Sequence, residues 1–312
     1  MRSWLVLLAF SLFCASPLFA QDPVAQDPGP AASAAAERPS VREVRNLRYV
    51  TGEDAHPTKH LLDLYLPLPV PGENGTKPPL VMFVHGGAWR MGDRRLYGSL
   101  GRAFARRGIA CAAISYRLSP EFVHPAHVED CARALRWLAD HAAEYGYDRE
   151  KLFLCGHSAG AHLVALLATD ASYLVAQGLT PKDVRGVVPI SGPFEVSAAV
   201  PMFEQAFGAD AVVRRDASPL RHVTKDAPPF LVLWASRDMA GLPASGRVFA
   251  AALRRSGAPV EQQEIADRTH ITIITRFGSR DDRTTELVVD FVLRPRNAAA
   301  PAGRPADGER GH

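Results

Sequence analysis

Apolar and polar positions follow two periods along the chain, and the switches between them mark the elements. Residues 41–50 (VREVRNLRYV) and 60–68 (HLLDLYLPL) alternate apolar with polar, as antiparallel edge strands do. Residues 80–87 (LVMFVHGG) are a continuous apolar run ending in two glycines, the pattern of a strand buried on both faces. A helix is predicted over about 96–107 and a strand over 109–116 (IACAAISY). Over 126–144, Val128, Ala132, Leu135 and Leu138 form an apolar stripe at helical spacing. Strand 151–156 runs into an apolar helix, 158–169. Strand 184–191 follows, then about 35 residues without periodicity, strand 229–236, helix 243–256, strand 260–265 and a last helix over about 281–293. Buried strands alternating with helices predict an α/β fold, a mostly parallel twisted sheet of about eight strands with helices on both faces.

The ends carry no such pattern. Residues 1–20 (MRSWLVLLAFSLFCASPLFA) run from Arg2 through an apolar stretch broken at Pro17 to small residues before Ala20, the order of a secretory signal peptide. Residues 21–40 and 295–312 are rich in Pro and Ala and read as a disordered linker and tail, which leaves 41–294 as the folded domain. No uninterrupted apolar run reaches the ~18 residues of a membrane-spanning helix, so no stable membrane insertion is expected after signal cleavage. Lys+Arg 36 against Asp+Glu 33 gives a net charge of +3, unlike the basic surface of a nucleic-acid binder. Of four cysteines, Cys111, Cys131 and Cys155 survive cleavage. Each sits in an apolar element and reads as a buried free thiol. Asn74-Gly75-Thr76 fits a glycosylation sequon.

The chemistry lies at two strand ends. Gly156-His157-Ser158-Ala159-Gly160 fits G-x-S-x-G where a buried strand turns sharply into a helix. Such a turn strains the central residue, and flanking glycines relieve the crowding. It also sets the Ser158 hydroxyl at a helix N-terminus, where free N–H groups favour developing negative charge. His85-Gly86-Gly87-Ala88-Trp89 ends an earlier strand. The N–H groups of Gly86 and Gly87, with that of Ala159, are candidate oxyanion donors. His85 could instead ligate a metal, but nothing nearby has ligand spacing, and neither metal nor cofactor is expected.

VHGGAWRMGD (84–93), ISYRLSPE (114–121), HPAHVEDCARALRWL (124–138), LCGHSAGAHLVAL (154–166) and PLRHVTKDAPPFLVLWASRD (219–238) together resemble the α/β-hydrolases of the hormone-sensitive-lipase-like and acetyl/feruloyl esterase (BD-FAE-like) group, to which arylformamidases are related. The resemblance covers about 60–275 and implies hydrolysis of carboxylic esters or formamides without a cofactor. It also implies the order nucleophile, acid, base along the chain. His270, after the last strand in the short loop 266–269, is then the base. Asp238, after strand 229–236, is the acid, with Glu195 and Asp267 as rivals. His162 and His157 read as packing residues. Tyr116, Arg117, Glu129 and Asp130 read as an ion-pair or hydrogen-bond cluster holding helix 126–144.

The 192–228 segment stands where a short cap would sit, and Phe194, Met202, Phe203 and Phe207 could line an apolar acyl or aryl pocket. Trp89 and Trp137 read as packing. The resulting expectation is a secreted or periplasmic serine esterase acting on a small-molecule or polysaccharide-linked ester. An arylformamidase-type amide hydrolase and a non-catalytic binding module on the same scaffold are the alternatives.

Overall fold

The computed structural model describes residues 41–68, 75–198 and 200–295. The expected signal peptide, the linker, residues 296–312 of the tail and Asn74 of the sequon lie outside them. The strands are β1 (Val41–Arg48), β2 (Leu61–Pro67), β3 (Leu80–Val84), β4 (Ala110–Ile114), β5 (Leu152–His157), β6 (Gly186–Ile190), β7 (Phe230–Arg237) and β8 (Val260–Thr269). The helices are α1 (Gly98–Ala105), α2 (Ala126–Asp140), α3 (Ala142–Tyr145), α4 (Ala159–Thr169), α5 (Ala171–Val175), α6 (Pro201–Phe207), α7 (Ala211–Asp216), α8 (Leu242–Ser256), α9 (Thr272–Thr275) and α10 (Arg283–Leu293).

All eight strands form one sheet in the order β1-β2-β4-β3-β5-β6-β7-β8. β2 runs antiparallel to both of its neighbours, β1 and β4, the remaining pairs are parallel, and β2 is an interior, buried strand and not the edge strand its alternation suggested. This is the α/β-hydrolase fold. Successive side chains of a strand face opposite sides of the sheet, and β3 divides accordingly. Leu80, Met82 and Val84 join one apolar layer with Leu135, Leu163 and Phe249 of α2, α4 and α8. Val81 and Phe83 join the other with Phe104, Ile273 and Phe291 of α1, α9 and α10. All eleven residues of α4 are buried, as a sequence apolar but for His162 and Thr169 requires. Cys111, Cys131 and Cys155 are free and buried, and burial pushes all three thiols up, away from the reactive thiolate.

Three further expectations change. The helix expected over 126–144 is two, α2 and α3. At the break the His141 ring stacks on Trp137 at 3.9 Å and bonds the Trp137 carbonyl through Nδ1 at 2.8 Å. The segment 192–228 is not irregular throughout, since α6, α7 and a 3-10 turn at Pro219–Arg221 occupy much of it. Residues 266–269 are not a loop. β8 continues through Thr269, with Asp267 at φ 54 and a register shift opposite Ala235–Arg237.

Arg117, Asp130 and His60 tie β4, α2 and β2 together. The Asp130 carboxylate has no exposed surface. It accepts from the Arg117 backbone N–H at 2.9 Å, from Arg117 Nη2 at 2.7 Å and from His60 Nε2 at 3.0 Å. Burial alone would push this carboxyl up, but the His60 and Arg117 bonds outweigh it and hold it below the ordinary range. Asp130→Ala removes the carboxylate partner of the fully buried His60 Nε2 and the main partner of Arg117, and is expected to cost about 3–5 kcal/mol in urea unfolding at pH 7. Because the folded pKa is lowered, this contribution persists down to pH about 4 and is lost only as pH falls further, through the folded pKa. A loss under about 1 kcal/mol at pH 7 would show that the cluster does not hold α2.

Candidate active site

The strands that carry the candidate residues all end on one side of the sheet. β5 ends at His157 and α4 begins at Ala159, which leaves Ser158 at the turn with φ 56 and ψ −118. A side chain there costs roughly 1–3 kcal/mol of backbone strain. The turn survives because the chain around it is short of atoms. A Cβ on Gly156 would lie 2.3 Å from the Gly160 carbonyl oxygen, and one on Gly160 would lie 2.0 Å from that of Val84. The motif's glycines therefore let α4 sit directly on β5 and β3. The Ser158 N–H donates to the Ile190 carbonyl at 2.9 Å, and the Ser158 carbonyl accepts from the His162 N–H at 3.1 Å, so the turn is held from both ends.

The structure brings Ser158, His270 and Asp238 into one hydrogen-bonded line. Ser158 Oγ lies 3.0 Å from His270 Nε2, and His270 Nδ1 lies 2.7 Å from Asp238 Oδ1. The carboxylate can only accept, so Nδ1 carries the proton and Nε2 presents its lone pair to the serine. His270 follows β8 without an intervening loop. Asp238 follows β7, beside the edge strand that delivers the base. The acid is held by four donors. Besides His270, Ser191 Oγ donates at 2.5 Å, the Ala235 N–H at 3.1 Å and the Met239 N–H at 2.8 Å. Burial raises its pKa, but the bonds from His270, Ser191 and the two amides outweigh this and keep it an ionised carboxylate. Two of these donors are backbone, so that part of the hold on Asp238 does not depend on which side chains flank it. Ser191 was invisible in the sequence, where it only ends a strand before a glycine.

The rivals are engaged elsewhere. Glu195 accepts from Ser218 Oγ at 2.9 Å and pairs with Arg221 at 2.7 Å. Asp267 is exposed and faces Arg237 at 3.4 Å. His162 is buried and bonds the Ala217 carbonyl at 2.8 Å, as a packing residue does. His157 does more than pack, for its Nε2 lies 2.8 Å from the carbonyl oxygen of His270.

The loop after β3 is tightly packed. Gly87 has φ 117, and a Cβ there would meet the Met91 carbonyl oxygen at 2.1 Å. Ala88 and Trp89 follow with φ 53 and 58. The Gly87 carbonyl accepts from the N–H groups of Arg90 and Met91, both at 3.0 Å. His85 is a strut of the loop. Its ring stacks on Tyr116 at 4.4 Å, its Nδ1 bonds the Gly86 carbonyl at 2.8 Å, and burial pushes its pKa down to about 4. Among the described residues no group of three or more His, Cys, Asp or Glu could hold a metal ion. Of the three expected oxyanion donors, the Gly86 N–H also has the Tyr97 hydroxyl as a neighbour. The N–H groups of Gly87 and Ala159 donate to no other described residue.

The aromatic set divides. Phe207 lies 4.9 Å from Trp89, and Phe203 lies 6.0 Å from it, beside the oxyanion loop. Phe194 instead stacks on Phe249 at 4.3 Å in the core under α8 and lines no pocket. Met202 is exposed.

Among curated proteins the chain is similar to Esterase LipQ of Mycobacterium tuberculosis, 32% identical over 235 residues, which are 70% of this chain and 56% of LipQ. It is also similar to Esterase LipC of the same organism, 35% identical over 217 residues, 63% of this chain and 52% of LipC. The chain thus spans about half the length of these relatives. Among solved structures, a truncated carbohydrate esterase from gut microbiota superposes with a TM-score of 0.64, at 21% identity over 83% of this chain and 97% of that one, a likeness of fold. The BD-FAE family description matches residues 62–253, more than half of the chain, and the chain belongs to the BD-FAE family.

Proposed function

We propose that this chain is a serine carboxylic-ester hydrolase that works through an acyl-enzyme. The observation that carries the reading is the line Ser158 Oγ–His270–Asp238, at 3.0 and 2.7 Å, set on a strained turn at a helix N-terminus. Serine is a weak nucleophile until a base takes its proton, and the base needs an acid to fix its tautomer. In the first step Ser158 Oγ attacks the ester carbonyl while His270 Nε2 takes the hydroxyl proton. Asp238 stabilises the imidazolium without itself becoming protonated. The N–H groups of Gly87 and Ala159 hold the tetrahedral oxyanion, each worth about 3 kcal/mol of transition-state stabilisation. His270 returns the proton to the departing alcohol, and water then repeats the sequence on the acyl-enzyme. No metal or cofactor is needed by these steps.

The substrate in this reading is a short-acyl or aryl ester. Phe203, partly exposed, packs with the buried Trp89 and Phe207 into an aromatic cluster beside the oxyanion loop, and among the described residues the segment between β6 and β7 holds two short helices, α6 and α7, as cover. Export read from residues 1–20 would set the mature protein in the periplasm or outside the cell, where acetyl or feruloyl groups on polysaccharide are available esters. The test is turnover of p-nitrophenyl acetate, butyrate and octanoate. The expected result is a kcat/KM at least ~10-fold higher for acetate or butyrate than for octanoate, since each methylene in a fitted pocket is worth about 1–3 kcal/mol. Preference for octanoate would overturn the short-acyl reading, and no turnover of any of the three would overturn the esterase reading.

A further inference from the structure

His157 stands between the three parts that the proposed reaction must keep in register. It precedes Ser158 in the chain. Its carbonyl oxygen and its Nδ1 lie only 2.9 and 3.1 Å from where a Cβ on Gly86 would be, so its main chain and its ring both abut the oxyanion loop. Its ring lies 4.7 Å from the ring of His270, and its Nε2 lies 2.8 Å from the His270 carbonyl oxygen. A carbonyl only accepts, so Nε2 carries the proton. The side chain is buried, with 4% of its surface exposed.

The chain on either side of His270 is held locally, Thr269 by its pairing with Arg237 and its bonds with Thr272 and Ile271 by the N–H groups of Ile274 and Thr275, but none of these bonds reaches the His270 carbonyl. His270 follows a strand at the edge of the sheet, and its neighbours Thr269 and Ile271 are both exposed. Asp238 orients the ring at Nδ1, but a bond to the ring does not set the height of the main chain that carries it. We propose that His157 is a positioning residue, whose Nε2–H pins the main chain of His270 so that its imidazole meets Ser158 and the oxyanion donors in one fixed geometry. The assignment rests on the serine-hydrolase reading above.

The electrical state of His157 suits this role. Burial, reinforced by the neighbouring His270, pushes its pKa down to about 4, so the ring is neutral when the imidazolium forms on His270 and does not repel it. A neutral donor of the right reach is therefore what the position needs. The amide nitrogen of glutamine extends about as far from Cβ as Nε2 of histidine does, whereas leucine fills the space without a donor.

The experiment compares wild type, His157→Gln and His157→Leu with p-nitrophenyl acetate, and reads the rate of fluorophosphonate labelling and the thermal midpoint on the same samples. Displacement of a catalytic group by about 1 Å costs on the order of 100-fold. His157→Leu is expected to lose roughly 10- to 100-fold in kcat and in labelling rate with KM changed less than about 3-fold. His157→Gln is expected to recover to within about 5-fold of wild type. Wild-type kcat in a folded His157→Leu, or loss by Gln and Leu alike, overturns the proposal. A wild type that neither labels nor turns over overturns the serine-hydrolase reading and this one with it. An active wild type with an unaffected Leu variant overturns this one alone. If His157→Leu does not fold, nitrogen-15 spectra of the wild-type imidazoles decide. His157 is expected as the neutral Nε2–H tautomer at pH 7, and a charged or Nδ1–H form contradicts the proposal.

Discussion

Ser158→Ala and His270→Ala should each lower kcat for ester hydrolysis about a million-fold, and the double variant should lose no more than either single one. The reason is that the serine and the histidine act as one unit. Without the imidazole at 3.0 Å the hydroxyl keeps its proton, and without the hydroxyl the imidazole has nothing to activate. Asp238→Asn should cost less, about ten-thousand-fold, because it turns the His270 tautomer without removing either reacting group. The residual rate in all of these comes from the Gly87 and Ala159 N–H groups, which none of the substitutions touches. His162→Ala is the control. That residue lies on the nucleophile's own helix, but its Nε2 is spent on the Ala217 carbonyl, so its loss should lower stability and leave kcat nearly unchanged. Additive losses in the double variant, or a larger kcat loss from His162→Ala than from His270→Ala, would mean that the base has been misassigned.

Gly160→Ala should be the most damaging small substitution in the fold. A methyl group there would lie 2.0 Å from the Val84 carbonyl oxygen and 2.6 Å from that of His85. Both are main-chain atoms at the end of β3, so no side chain can turn aside. Either α4 lifts off the sheet, exposing part of a helix that is buried all round, or β3 moves and carries the oxyanion loop with it. The expected loss is about 3 kcal/mol or more in urea unfolding, accompanied by loss of turnover in the fraction that folds. Gly108→Ala isolates the clash from simple backbone strain. Gly108 has φ 76 with nothing near its missing Cβ, and its replacement should cost only about 1–2 kcal/mol. Equal losses at the two positions would contradict the packing account of the elbow's second glycine.

What could be read from the sequence follows from where apolar residues had to be. β3, β4, β5 and β6 are buried along their whole length and announce themselves as apolar runs. α4 does the same at helical length. β8 carries no such signal beyond Ile265, because an edge strand exposed on most positions has no reason to alternate, and residues 266–269 read as a loop. α6, α7 and α9 span 7, 6 and 4 residues, too few turns for a periodic stripe. Ser158, Asp238 and His270 were legible from the elbow motif and from chain order. What chain order cannot carry is which neighbours hold them. Ser191 supports the acid from the end of another strand, and the His157 side chain reaches across to the base, through contacts 47 and 113 residues apart in sequence.

The central claim is that Ser158 is an activated nucleophile. The most direct measurement is intact mass of wild type and Ser158→Ala after exposure to a fluorophosphonate, with both shown to be folded. The account predicts one adduct on wild type, mapped to the peptide that contains Ser158, and none on the variant. An unlabelled, folded wild type, or equal labelling of the variant, would contradict it.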